Sequence, residues 1–333
     1  MKRVTALGAL LFSTCIAQAE PLRFSITGRI PAADGGWDFA AVDSASNRLF
    51  VARSNGVTAV DLATGKVTDR LVEGARVHGV LPLKDSPFVI STNGASANAF
   101  IFDKKTGSIE ATLAAGENPD ALLQEPKTGL VVIFNGKSHD ATLVDPTTKA
   151  VVGTIALDGK PEIPAADGNG RIFVNLEDTA KIAVIDIETR KVVGSYDLPG
   201  CLAPTGLAHD AAAGVLISAC DNKVAKVLEA STGRDLATLA IGKGPDGVLL
   251  DAARRRAFIP AADGALTVLS LAGPSIAVVA TIETKRGSKT GTLDPASGAV
   301  YLPSAEFAPP EKEGGRPTPI PGTFAILVVD ETH

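Results

Sequence analysis

Residues 135–157, NGKSHDATLVDPTTKAVVGTIAL, decide the fold. They hold a loop, an alternating segment (ATLVD, 141–145), a Pro-Thr-Thr-Lys turn and a second alternating segment (150–157). Every second residue of the two segments is apolar, the period of a pleated ribbon with one buried face. A lone hairpin is marginal in water, so the unit needs neighbours. The chain supplies them as DLATGKV (61–67), DKKTGSI (103–109), DPTTKAV (145–151), DIETRKV (186–192) and EASTGRD (229–235). These turns begin 42, 42, 41 and 43 residues apart. A fixed period in the low forties, made of strands alone, predicts an all-β propeller whose blade is a four-stranded sheet.

Working outward, each unit reads as strands a, b, c and d, with the Asp-x-x-Thr-Gly-Lys turn between c and d. Blade 1 starts at Trp37, and later blades start near Val77, Pro119, Pro161, Pro204, Pro245 and Ser288. Blade 7 takes its third strand from residues 324–330 and lacks a fourth. Residues 22–30, LRFSITGRI, match a strand d and have no blade of their own. The N-terminal strand is therefore expected to pair into the last blade and close a seven-bladed ring, which removes exposed sheet edges. Residues 305–322 form a proline-rich insertion in blade 7, expected to be extended and non-helical.

Lys2 and Arg3 precede an apolar run, and Ala17-Gln-Ala19 supplies a cleavage site before Glu20. This predicts a secretory signal peptide over 1–19 and an exported, soluble periplasmic chain over 20–333, with no membrane span. Without Lys2 and Arg3, 30 basic residues face 37 acidic ones, a net charge of −7. An acidic surface with one Trp and two Tyr is unsuited to nucleic acid. Cys201 and Cys220 flank one predicted strand pair, which in an exported chain points to a disulfide.

The b strands RLFVA (48–52), FVISTN (88–93), VIFN (132–135), RIFVN (171–175) and AVYLP (299–303) resemble the repeat of the YVTN family. With the Thr-Gly-Lys turns, the chain resembles the YncE-like periplasmic seven-bladed propellers. The resemblance implies fold and compartment. It leaves function open, because the architecture is shared with lactonases and redox enzymes.

In a propeller the d-to-a and b-to-c loops share one face, so their residues ring one mouth of the central channel. Histidines and carboxylates at such loop positions serve binding rather than folding. His78, His139, Glu162 and Glu306 have the donor types of a divalent metal site: Zn, Cu, Mn or Fe, or Ca in an all-oxygen variant using Asp38, Asp120 and Glu162. Trp37, Asp38, Arg53, Asn93, Asp120, Asn135, Asp246 and Arg286 are the candidate ligand-binding residues. No G-x-S-x-G, phosphate-binding glycine loop or C-x-x-C-H occurs. The expected function is binding of a metal ion or small polar ligand at the mouth. The alternatives are a metal-assisted hydrolase of lactonase type and a scaffold for another periplasmic protein.

Overall fold

The computed structural model describes residues 23–273, 275–310, 315 and 317–332. The expected signal peptide over 1–19 lies outside the described residues. The described residues form seven four-stranded antiparallel sheets and one two-stranded ribbon. Blades 1 to 6 each use four consecutive strands: in blade 3, for example, Pro119–Gln124, Val131–Asn135, Asp140–Asp145 and Ala150–Ala156. Blade 7 is composite. Its strands a to c are Thr292–Leu293, Val300–Ser304 and Ala325–Thr332, and its strand d is Arg23–Pro31 from the other end of the chain. The closing pair runs in register from Arg23 opposite Thr332 to Pro31 opposite Ala325, with one irregularity at Ile26/Gly28. The ring closes as the repeat arithmetic requires.

The recurring acidic residue explains the period. Asp61 Oδ1 accepts hydrogen bonds from the main-chain N–H of Ala63 (3.1 Å) and Thr64 (2.9 Å) and from the Thr64 hydroxyl (2.9 Å). Gly65 then adopts φ +70°, a left-handed conformation that glycine takes without steric penalty. Asp103 and Gly107 repeat the arrangement. Hydrogen bonds to the anion hold both carboxyls below the usual range, those from Thr64 at Asp61 and Thr106 at Asp103.

The b strands make the core. Phe50, Phe173 and Phe258 occupy equivalent positions in three blades, Phe134 lies two residues further along its strand, and all four are fully buried. Burying such a ring contributes about 2–3 kcal/mol each. The outermost d strands are exposed on alternate residues, as the ring's rim requires. Cys201, ahead of strand a of blade 5, and Cys220, at the end of its strand b, form a buried disulfide with Cα atoms 5.5 Å apart. The insertion leaves blade 7 between strands b and c, and its base is a short ribbon pairing Phe307–Ala308 with Thr318–Pro319. No helix among the described residues is long and apolar enough to cross a membrane.

Candidate functional site

In blades 1 to 5 the first ladder pair of strands a and b is followed by a slip in register. The slips fall between Trp37 and Ala40, Val77 and Val80, Pro119 and Leu122, Pro161 and Pro164, and Pro204 and Leu207. Each slip contains the second residue of the strand: Asp38, His78, Asp120, Glu162 and Thr205. A bulge re-aims a side chain that regular pleating would direct elsewhere. In blades 6 and 7 the corresponding residues, Asp246 and Lys289, sit in loops ahead of shortened strands. One residue from every blade thus meets at the channel mouth, and all seven line a cavity of about 750 Å³.

Close packing between blades fixes this ring. The Thr92 hydroxyl of blade 2 donates to the Asp120 carbonyl of blade 3 (2.8 Å), and Thr290 of blade 7 donates to the Asp38 carbonyl of blade 1 (2.9 Å). Gly79 permits the first contact. A Cβ there would stand 2.5 Å from the Asp120 carbonyl oxygen and 2.3 Å from the Leu122 side chain.

Asp38, His78 and Asp120 lie side by side. His78 Nδ1 is 2.6 Å from Asp38 Oδ2 and 3.9 Å from Asp120 Oδ1. Among the described residues these three form the group of His, Cys, Asp or Glu able to hold a metal ion, one ligand atom from each lying within 4.8 Å of the others. His78 is 9% exposed, and its Nε2 is buried with no hydrogen-bond partner among the described residues. Nδ1 therefore carries the imidazole's polar contact, and it faces both carboxylates.

The ring's charges are crowded into a poorly solvated space. Burial raises the Asp120 carboxyl to about 7, with the Asp38 charge adding to the shift. Burial likewise raises Glu162 to about 8, with Asp120 adding, against the opposing hydrogen bond from Lys160. Asp246 is also pushed up by burial, partly offset by Lys289, whose Nζ is 2.5 Å away. Burial disfavours the charged form of His78, but its hydrogen bond to Asp38 and the charge of Asp120 outweigh that, and its net shift is upward. Two carboxyls of the mouth, Asp120 and Glu162, are thus pushed up to about neutrality beside an imidazole. The mouth can take a cation by releasing their protons, or exchange protons with a bound molecule.

The expected metal set of His78, His139, Glu162 and Glu306 does not assemble. His78 and Glu162 line the mouth. His139 lies outside the cavity lining, in the turn between strands b and c of blade 3, at φ +54°. That turn is set back from the channel: the His139 carbonyl accepts the N–H of Leu157, which follows the outer strand d. Glu306 is exposed and paired with Lys285 at 3.2 Å. Position along a loop was legible, but radial distance from the channel was not.

Among the expected ligand-binding residues, Asp38, Asp120 and Asp246 line the mouth, while Trp37 and Arg286 line an adjoining cavity. Arg53, Asn93 and Asn135 turn inward and are buried. Arg53 donates to the carbonyls of Ala33 (2.7 Å) and Gly36 (3.0 Å), bracing the loop before Trp37. Asn135 Nδ2 donates to Thr142 (3.0 Å), and Asn93 Nδ2 to Asn98 (2.9 Å), tying strand b to strand c. The asparagines that end these b strands are structural pins. Lys160, Glu177, Thr205 and Lys289, outside the expected set, also line the mouth. Lys160 bonds Glu162 (2.7 Å) and Glu177, and Lys289 bonds Asp246. The available signals were the nearness of Lys160 to Glu162 in Lys160-Pro-Glu162 and the place of Lys289 at the start of blade 7.

Comparison with solved structures finds the same fold in one described as Kuenenia stuttgartiensis hydrazine synthase. The TM-score is 0.71 over 93% of this chain and 99% of that chain, at 14% identity. At that identity the likeness is one of fold. Neither the comparison with protein families nor that with curated proteins finds a match.

Proposed function

We propose that the chain is an exported, periplasmic propeller of the YVTN-repeat type that binds one divalent metal ion at its channel mouth through Asp38, His78 and Asp120. The observation that carries the reading is the convergence of one imidazole nitrogen and two carboxylate oxygens within 4.8 Å of one another, from three different blades. One nitrogen and two oxygens suit a mid-row ion such as Mn or Zn better than Ca, which prefers oxygen alone. The ion must displace the proton shared between His78 and Asp38 and the proton on Asp120, so affinity falls as pH drops below about 7.

A second reading rests on Glu162, on the same cavity wall and 2.7 Å from Lys160; burial pushes the Glu162 carboxyl up to about 8. Such a group beside a Lewis acid suits general-acid chemistry on a carbonyl or ester, the lactonase-type alternative.

The test is titration calorimetry of Mn(II) and Zn(II) into chelator-stripped protein at pH 7.5. The account expects one ion per chain, at least tenfold weaker binding in His78→Gln and Asp120→Asn, and unchanged binding in His139→Ala. No binding, or loss of binding in His139→Ala with none in His78→Gln, would overturn it.

A further inference from the structure

A second cavity of about 830 Å³ adjoins the mouth, sharing Asp221, Gly244, Ala262 and Lys289 with it. We propose that it binds an organic anion with a flat, apolar body, a site that goes beyond the metal reading and stands without it. Its size falls in the range of small-molecule sites, roughly 300–1,000 Å³.

Its apolar wall is built from Trp37, Phe307, Pro317 and Pro319. Trp37 is the only tryptophan of the chain and is held firmly. Its ring lies 5.2 Å from Phe324 and 6.2 Å from Phe307. The buried Arg53 guanidinium stacks on Phe324 at 3.8 Å while its nitrogens bond the carbonyls of Ala33, Gly35 and Gly36. Phe307 is seated against Gly287, where a Cβ would come 2.7 Å from the ring and φ is +83°. A rigid aromatic wall of this kind favours a planar apolar partner, because little side-chain entropy is lost on binding.

The polar side of the cavity sets the charge of that partner. Arg286 and Lys243 line it and make no side-chain ion pair among the described residues. Lys289 is occupied by Asp246. Of the two acids in the lining, Asp221 stands on the wall shared with the mouth, and Asp263 has both oxygens engaged, by the N–H of Lys243 (2.7 Å) and of Ala265 (3.2 Å). A carboxylate set between Arg286 and Lys243 would find two cations with no ion pair among the described residues, one of them able to bind it through two parallel hydrogen bonds.

Trp37 makes the test direct, since all tryptophan fluorescence comes from the proposed wall. Chelator-treated protein is titrated with 3-phenylpropionate, its amide and the corresponding amine, with calorimetry in parallel. The expected result is a saturable change in Trp37 fluorescence with the acid and at least tenfold weaker binding of the amide and amine. Arg286→Gln and Lys243→Gln are each expected to weaken the acid about tenfold without moving the melting temperature. The proposal is overturned if the amide or amine binds as well as the acid, or if no probe binds. It is equally overturned if both variants bind like the parent, or if the acid binds only once metal is restored. That last outcome would leave the metal site standing and make the anion its ligand. Loss of metal binding with intact anion binding would remove the metal reading alone.

Discussion

Replacing Asp120 with Asn should stabilise the metal-free protein at alkaline pH and leave it nearly unchanged in acid. The Asp120 carboxyl titrates at about 7 in the fold, against an ordinary value of 3.8. Between those values the unfolded chain has released its proton while the folded one keeps it, so unfolding becomes easier as pH rises. The penalty is complete above about 7 and absent below 3.8. Each pH unit in that window is worth about 1.4 kcal/mol, which sets a ceiling near 4 kcal/mol. Water in the open mouth relaxes part of this, leaving about 2 kcal/mol. With an unfolding entropy of about 2.1 cal/mol/K per residue, a chain of this length gains about 3 °C in melting temperature. The attraction between Asp120 and His78, 3.9 Å apart, is already counted in the carboxyl's value of about 7. The Asp120 carboxyl makes no hydrogen bond among the described residues, and its main-chain carbonyl is held by Thr92 whichever side chain is present. The assay is thermal unfolding of the parent and Asp120→Asn in chelator at pH 4 and pH 8.5. Added Mn(II) should raise the parent's melting temperature and not the variant's. A variant that melts lower than the parent at pH 8.5, or gains equally at both pH values, would refute the burial argument.

Other consequences follow from the same geometry. Removing residues 23–31 leaves Ala325–Thr332 with an unpaired edge and exposes Phe258, on which Phe24 packs edge-to-face at 5.3 Å; aggregation during expression or a melting temperature lower by 10 °C or more is expected by light scattering and calorimetry, and unchanged behaviour would rule out closure by this strand. Cys201→Ser with Cys220→Ser opens a loop of sequence separation 19, a loss of about 3 kcal/mol and about 4 °C that a matched melt under reducing conditions should reproduce in the parent. Gly79→Ala drives a methyl into the Asp120 carbonyl and Leu122, so it should weaken Mn(II) binding at least tenfold and lower stability by about 1–3 kcal/mol; a variant that binds like the parent would show that this interblade contact does not hold the site.

The fold was legible because its determinants are local and repeated. An acidic residue three positions before Thr, followed by Gly, makes the same turn wherever it occurs, and the alternating b strands announce their buried face. Even the composite blade could be read from the one unmatched strand at each end. The site was half legible. Asp38, His78, Asp120, Glu162 and Asp246 occupy equivalent places in successive repeats, and repetition brought them out. Repetition cannot show how far a loop lies from the axis. His139 and Glu306 sit on loops of the right kind, yet one is set back beside strand d and the other is paired with Lys285. Nor does chemistry at a position reveal its direction: Arg53, Asn93 and Asn135 face inward and hold loops and strands together. The register slips that aim the ring residues depend on strand pairing, which residue identity alone does not specify.

The most direct test of the metal centre is pulsed electron paramagnetic resonance of the Mn(II)-loaded protein. The account predicts coupling to a single imidazole nitrogen, abolished in His78→Gln and retained in His139→Ala. Two nitrogen couplings, none, or a coupling that survives His78→Gln would contradict it.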